Sequence, residues 1–166
     1  MEVEDKGALP TTYNVLFVCT GNTCRSPMAE ALARREVERR GWRNVLVRSA
    51  GVSAQPGAPA TEQAIEAVRA VGLDLTRHSA TQLDPEILEW ADLALVMSAA
   101  HLGIIEEMGA VHKASLLGDF VAGEEGIGEA VSDPFGGDRS RYDDTLAQLQ
   151  VLVSRSLDRL TAIVKP

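Results

Sequence analysis

Cys19, Gly21, Arg25 and Ser26 fall close together in the stretch VCTGNTCRSP, residues 18–27. A thiol, a glycine, a guanidinium and a hydroxyl at this spacing suit nucleophilic attack on an oxyanion. Cysteine attacks as its thiolate, and a helix N-terminus with a cation beside it favours that form. Arg25 offers a fixed fork of donors that matches two phosphoryl oxygens. Gly21 permits a tight or left-handed turn, which lets successive backbone N–H groups converge on one point. Ser26 is placed to donate a further hydrogen bond to the sulfur. The chemistry described is in-line attack of Cys19 on phosphorus, with amides and Arg25 stabilising the equatorial oxygens. Taken singly, each residue has an ordinary reading: a buried cysteine at a strand end, a solvated helix arginine, a loop glycine. Only the joint order of strand, cysteine, glycine, arginine and helix argues for a site. A zinc site is disfavoured, because His78, His101 and His112 are scattered and lack ligand spacing to the two cysteines.

Such a loop needs a strand before it and a helix after it. The apolar run ending at Val18 predicts a strand over 13–18, and Pro27 suits the first turn of a helix over about 27–41, ended by Gly41. Strand-like and helix-like segments then alternate. A strand is expected over 44–51, and a helix over about 60–71 with Ala64, Ile65, Val68 and Val71 on one face. A short helix follows over 84–91, and the near-continuous apolar run 92–98 reads as a central parallel strand. A helix over 100–109 and a weaker strand over 111–117 come next, and a long helix over about 141–163 closes the chain. This order implies a single-domain α/β three-layer sandwich: a four-stranded parallel sheet with helices on both faces. Cys19 then lies at the carboxyl end of the first strand, where open α/β sheets bind ligands. The stretch 118–140 holds six of the 14 glycines and shows no periodicity, so a long functional loop is expected there.

Composition narrows the classes. The 166 residues suit one domain, and 45% apolar content suits a globular one. A formal net charge of −8 is a poor match for nucleic acid or anionic membranes, so neither is expected as a partner. Two cysteines do not make a disulfide framework, which points to a reducing compartment. Residues 1–12 lack both the basic start and the apolar core of a signal peptide, so the cytoplasm is the default location.

The run V-C-x-G-N-x-C-R-S-P-M-A-E resembles the low-molecular-weight protein tyrosine phosphatase family, and closest within it the bacterial protein arginine phosphatase branch. RSAG at 48–51, ADLALVM at 91–97 and DPFGG at 133–137 add to the resemblance, which spans the chain from about residue 13. It implies a flexible extension over 1–12 and a phosphatase domain over 13–166. It also implies that Cys19 becomes phosphocysteine, that Arg25 binds the phosphoryl group and that Asn22 and Ser26 order the loop. Asp133 would be the general acid and then the base for water. On its residues alone, Asp133-Pro134 is equally well a turn start. The substrate-binding set is Thr20, Gly21, Asn22, Thr23, Cys24, Ser26 and Phe135. No metal or cofactor is implied. Phosphorylated proteins are the expected substrates, and inorganic phosphate or other oxyanions are expected at the loop.

Three phosphate chemistries compete. Tyrosine-directed members of the family usually carry an aliphatic residue at the position of Thr23, and arginine phosphatases carry threonine. Paired tyrosines tend to follow the Asp-Pro of tyrosine phosphatases, whereas Phe135 and Gly136 follow it here. Phosphoarginine is therefore expected, with phosphotyrosine as the alternative. Arsenate reduction by thiol relay needs cysteines beyond Cys19 and Cys24, and the chain has none. A phosphate-binding module without turnover would lack the nucleophile or the acid, and both are present. Cys24, five residues after Cys19, is also placed to trap a sulfenic acid on Cys19 as a disulfide after oxidation.

Overall fold

Val15, Phe17 and Cys19 alternate with Leu16 and Val18 along the first strand, β1 (Tyr13–Cys19), and the two sets enter different cores. That alternation follows from the two-residue period of a strand, and here both faces are apolar because both are covered. In the computed structural model, which describes residues 11–123 and 128–164, β2 (Val45–Gly51) and β3 (Leu93–Val96) flank β1. β4 (Ala114–Leu116) lies beyond β3, giving the order β2-β1-β3-β4 with every pairing parallel. The N-terminal extension expected over 1–12 falls, apart from Thr11 and Thr12, outside the described residues.

Val15 and Phe17 pack with Met28 and Leu32 of α1 (Arg25–Arg39), Val68 of α2 (Glu62–Arg69) and Leu149, Leu157 and Leu160 of α6 (Arg139–Val164). Leu16 and Val18 pack with Ile87 and Leu88 of α3 (Pro85–Trp90) and Ile105 of α4 (Ala99–Glu107). α5 (Leu117–Ala122) adds Leu117 and Phe120 to the first core. Each fully buried Leu or Phe contributes roughly 1.5–3 kcal/mol of transfer free energy, so the two cores hold β1 rigidly between them. The expected three-layer α/β sandwich is the observed fold. Among the described residues, no helix is long and apolar enough to cross a membrane.

The differences from the expected elements are local. α1 begins at Arg25 rather than at 27, so Arg25 and Ser26 belong to its first turn and point back over the loop. α2 ends at Arg69, and Val71 reaches the core from the turn at Gly72 (φ 86°) instead of from the helix. The strand expected over 111–117 is shortened on both sides: Val111–Lys113 form a 3-10 turn and Leu117 opens α5. The long loop expected from 118 begins only after that helix, because Leu117 and Phe120 have apolar partners that anchor the turn.

The carboxyl end of the sheet is where the loop after β1 is laid down. Cys19 sits opposite Gly51 in the β1–β2 register. Val52 N–H donates to the Cys19 carbonyl at 2.9 Å, and Ser53 N–H to the Thr20 carbonyl at 2.8 Å. A Cβ on Gly51 would lie 2.5 Å from the Thr20 carbonyl oxygen and 2.8 Å from the Asn22 nitrogen. The loop is therefore stacked directly on backbone. Gly51→Ala should displace residues 20–22 and destabilise the fold by about 1–3 kcal/mol, lowering the melting temperature by roughly 2–12 °C for a chain of this size. Inorganic phosphate should then no longer protect the variant against heat. Differential scanning calorimetry with and without phosphate measures both effects.

Candidate active site

The loop between β1 and α1 turns on Asn22, whose φ of 56° makes it the only left-handed non-glycine among the described residues. Gly21, which as a glycine could take such a turn, does not have a positive φ, and a Cβ there would meet only Thr23 Oγ1, at an ordinary 3.5 Å. Asparagine tolerates the left-handed region because its short polar side chain can bond nearby backbone. Here it bonds more widely. Asn22 is fully buried, and its Nδ2 donates to Ser26 Oγ at 2.8 Å and Ser49 Oγ at 2.9 Å. Its Oδ1 accepts from Thr81 N–H at 2.8 Å, and its carbonyl accepts from His78 Nε2 at 2.7 Å.

These bonds have a direction. Glu30 Oε1 accepts from the Ser49 hydroxyl, and the same carboxylate is held by Arg34 at 2.6 Å. Ser49 thus spends its hydrogen on Glu30 and accepts from Asn22. The other amide hydrogen of Asn22 goes to Ser26. The Ser26 hydrogen is then free for Cys19 Sγ, 2.9 Å away, or for the Ala50 carbonyl at 3.5 Å, and the sulfur is the nearer acceptor. A sulfur that accepts in this way is set up as the electron-rich partner. Ser26 Oγ lies within hydrogen-bond distance of Cys19 Sγ, where the expected donation would be made. Ser49, His78, Thr81 and Glu30 were not singled out as site residues, although Ser49 lies in the quoted RSAG.

Above the sulfur, the N–H groups of Gly21, Asn22, Thr23 and Cys24 have no acceptor among the described residues, and no side chain caps the N-terminus of α1. Converging donors at a helix N-terminus form an anion cradle. Arg25 is buried and closes it from the side. Its Nη1 donates to the Val131 carbonyl at 3.1 Å, and its Nη2 lies 3.5 Å from both Thr20 Oγ1 and Asp133 Oδ2. Asp133 is carried by the loop before α6, which Val131 N–H anchors to the Met97 carbonyl at 2.9 Å. Its side chain is 52% exposed, and its Oδ1 accepts from Phe135 N–H at 3.1 Å. The turn at Asp133-Pro134 and the approach of Asp133 to the cradle are thus both present. Phe135 stands 69% exposed at the rim.

A cleft of about 160 Å³ joins these parts, lined by Cys19, Thr20, Gly21, Thr23, Cys24, Arg25, Asp133 and Phe135. Of the ten site residues named from sequence, only Asn22 and Ser26 lie behind it. A larger groove of about 680 Å³ runs along α1 and β2, past Arg35, Arg48 and Arg77, but neither cysteine lines it. Cys24 lies at the back of the cleft, where its Sγ is 3.2 Å from the buried Tyr142 hydroxyl. Burial, followed by that contact, pushes the Tyr142 phenol up to about 12, so it remains a donor. Both cysteines are free.

His101 lacks metal-ligand spacing in the sequence, and its partners here are of another kind. It is buried in the first turn of α4, with Nε2 2.9 Å from Thr20 Oγ1. Desolvation first, and then the Arg25 charge, lower its pKa to about 4, against an opposing pull from Asp133. An unfolded histidine titrates near ~6.5. Between these values the unfolded chain binds a proton that the folded chain does not. Stability from this group is therefore present above pH ~6.5 and lost as pH falls toward ~4, a difference of about 1–3 kcal/mol. His101→Gln should remove that part of the slope. Urea midpoints for both proteins between pH 4 and pH 7 measure it.

The profile described as low molecular weight phosphotyrosine protein phosphatase matches residues 14–165. A protein-arginine-phosphatase of Bacillus subtilis is 43% identical over 149 residues, covering 89% of this chain and 96% of that one. A probable low molecular weight protein-tyrosine-phosphatase, EpsP of Ralstonia solanacearum, is 36% identical, covering 90% and 97%. Among solved structures, a cysteine-to-serine mutant of the arginine phosphatase YwlE with a phosphorylated active-site serine superposes with a TM-score of 0.82. It is 41% identical, and the match covers 90% of this chain and 95% of that one.

Proposed function

The chain belongs to the low molecular weight phosphotyrosine protein phosphatase family of cysteine-based phosphoprotein phosphatases, and from that footing we propose that it hydrolyses phosphoarginine on proteins. Cys19 attacks phosphorus in line, forming the S–P bond as the P–N bond breaks. Asp133 delivers a proton to the departing guanidino nitrogen, so the group leaves as the stable guanidinium cation rather than as the strongly basic neutral guanidine. Arg25 and the amides of residues 21–24 take the charge of the equatorial oxygens. In the second step water attacks phosphocysteine, Asp133 takes its proton, and phosphate leaves with the thiolate restored. Ser26 donates to that sulfur in both directions of the cycle. No metal or cofactor enters either step.

Thr23 carries the choice of substrate. It lines the cleft wall beside Cys24, with a hydroxyl where an aliphatic side chain would offer only surface. A guanidinium is planar and rich in N–H donors, and it needs acceptors around it. The Thr23 hydroxyl and the carbonyl oxygen of the Asp133 carboxyl group provide them, and Phe135 stands at the rim to pack on the guanidinium plane. Gly136 follows Phe135 (φ 83°), so one aromatic face is offered rather than two. The relationship to arginine phosphatases at 43% identity supports the same reading. Phosphotyrosine is the second reading, favoured by the resemblance to the tyrosine phosphatases.

Cys19→Ser should abolish turnover while phosphate still binds, because the amides and Arg25 remain. Asp133→Asn should slow substrates with poor leaving groups far more than p-nitrophenyl phosphate. Equal losses across a leaving-group series would remove Asp133 from the acid role. Turnover in both variants is read by steady-state kinetics, and phosphate binding to Cys19→Ser by titration calorimetry.

Thr23→Ile should lower the rate on phosphoarginine peptides and raise it on phosphotyrosine peptides. Loss of one polar contact is worth about 1–3 kcal/mol, which moves the ratio of specificity constants roughly ten- to a hundredfold. A wild type that prefers phosphotyrosine, or a ratio that does not move, would leave the tyrosine reading in its place.

A further inference from the structure

The mechanism above leaves His101 unused, although it is buried a single hydrogen bond from the cleft. Its ring is fixed at both nitrogens. Nδ1 lies 3.2 Å from the Ser98 backbone nitrogen and 3.2 Å from Ser98 Oγ. A backbone N–H can only donate, so Nδ1 presents its lone pair and the hydrogen of the neutral ring sits on Nε2. Nε2 therefore donates to Thr20 Oγ1 across 2.9 Å. Arg25 Nη2 approaches the same oxygen at 3.5 Å and is also a donor only. A hydroxyl oxygen has two lone pairs and one hydrogen. Here two fixed donors face the lone pairs, and neither can take the hydrogen. Thr20 is exposed on the cleft between Cys19, Arg25 and Asp133, so its hydrogen is left to that space.

We propose that His101 is a positioning residue for phosphoryl transfer: its Nε2 hydrogen bond to Thr20 turns the Thr20 hydroxyl hydrogen into the cleft, where it donates to a phosphoryl oxygen. The inference rests on the phosphatase reading above and is the same for phosphoarginine and phosphotyrosine. It gives the cradle a side-chain donor on the Thr20 side, opposite the amides of the α1 N-terminus. It also explains a buried histidine at the start of α4, where an apolar residue would fill the same space without a polar partner. His101 holds Thr20 in one orientation. The contact with substrate is made by Thr20.

The test is a double-mutant cycle on the full chain with p-nitrophenyl phosphate, whose turnover does not depend on substrate preference. Thr20→Val keeps the shape and removes the hydroxyl. It should lower kcat roughly ten- to a hundredfold, the size of a hydrogen bond to a charged group. Thr20→Ser should stay within a few-fold of wild type. His101→Phe should lower kcat about three- to tenfold and have almost no further effect in the Thr20→Val background. His101→Gln, with a donor at comparable reach, should recover most of the loss. Two outcomes overturn the proposal: a His101→Phe loss that persists at full size in the Thr20→Val background, or a Thr20→Val enzyme with wild-type kcat. If His101→Phe does not fold, the nitrogen NMR shifts of the wild-type ring decide. Hydrogen on Nε2 is expected, and hydrogen on Nδ1 overturns the assignment. A wild type inert toward p-nitrophenyl phosphate would overturn the phosphatase reading instead, which separates the two failures.

Discussion

Asn22 holds a φ of 56° with its side chain sealed from solvent, a conformation that costs a non-glycine residue about 1–2 kcal/mol. Four hydrogen bonds offset that cost, to Ser26, Ser49, Thr81 and His78. They tie the loop to β2, to the segment after α2 and to the first turn of α1. With a left-handed residue at this point, Asn22 reaches all four partners, and α1 begins three residues later at Arg25 with the N–H groups of residues 21–24 free of acceptors among the described residues. The conformation and its bonds depend on one another, since the side chain reaches its partners only from that backbone geometry.

The same bonds fix where hydrogens point. The Glu30 carboxylate can only accept, which orients the Ser49 hydroxyl, and Thr81 N–H fixes the Asn22 amide, so Asn22 donates to both Ser49 and Ser26 and leaves the Ser26 hydrogen for Cys19, its nearest acceptor. On the other side of the cleft, Ser98 sets the His101 tautomer and through it the Thr20 hydroxyl. Preorganised donors need no reorientation as charge develops on a phosphoryl group, which is where such a site gains most of its rate.

Arg25 joins the cradle to Asp133. One end of its guanidinium holds the Val131 carbonyl, and the other meets Asp133, so the loop before α6 is positioned by a residue that also lines the cleft beside Cys19. The loop is kept close by backbone contact as well. A Cβ on Gly128 would fall 1.9 Å from the Gly118 carbonyl carbon, so these two glycines let the chain pass directly against the start of α5. At both of these glycines, the glycine-rich stretch expected to be a long functional loop makes a close approach of backbone to backbone.

The local order of elements was legible in the sequence, because it rests on periodicity and punctuation. An apolar run, a glycine, an arginine and a proline in that order specify strand, loop and helix without help from the rest of the chain. So did the cluster of Cys19, Gly21, Thr23, Cys24, Arg25 and Ser26, since neighbours in sequence within a tight loop must be neighbours in space. Asp133 was reachable only through resemblance, because 114 residues separate it from Cys19 and an Asp-Pro turn looks alike wherever it occurs. Ser49, His78, Thr81 and His101 were not legible as site residues. Their roles depend on the parallel register that sets Cys19 against Gly51, and on helices packed across both faces of the sheet. Periodicity says which face a residue takes. Only the assembled sheet decides which distant hydroxyl, amide or imidazole comes within 3 Å of the loop, and which way its hydrogen points.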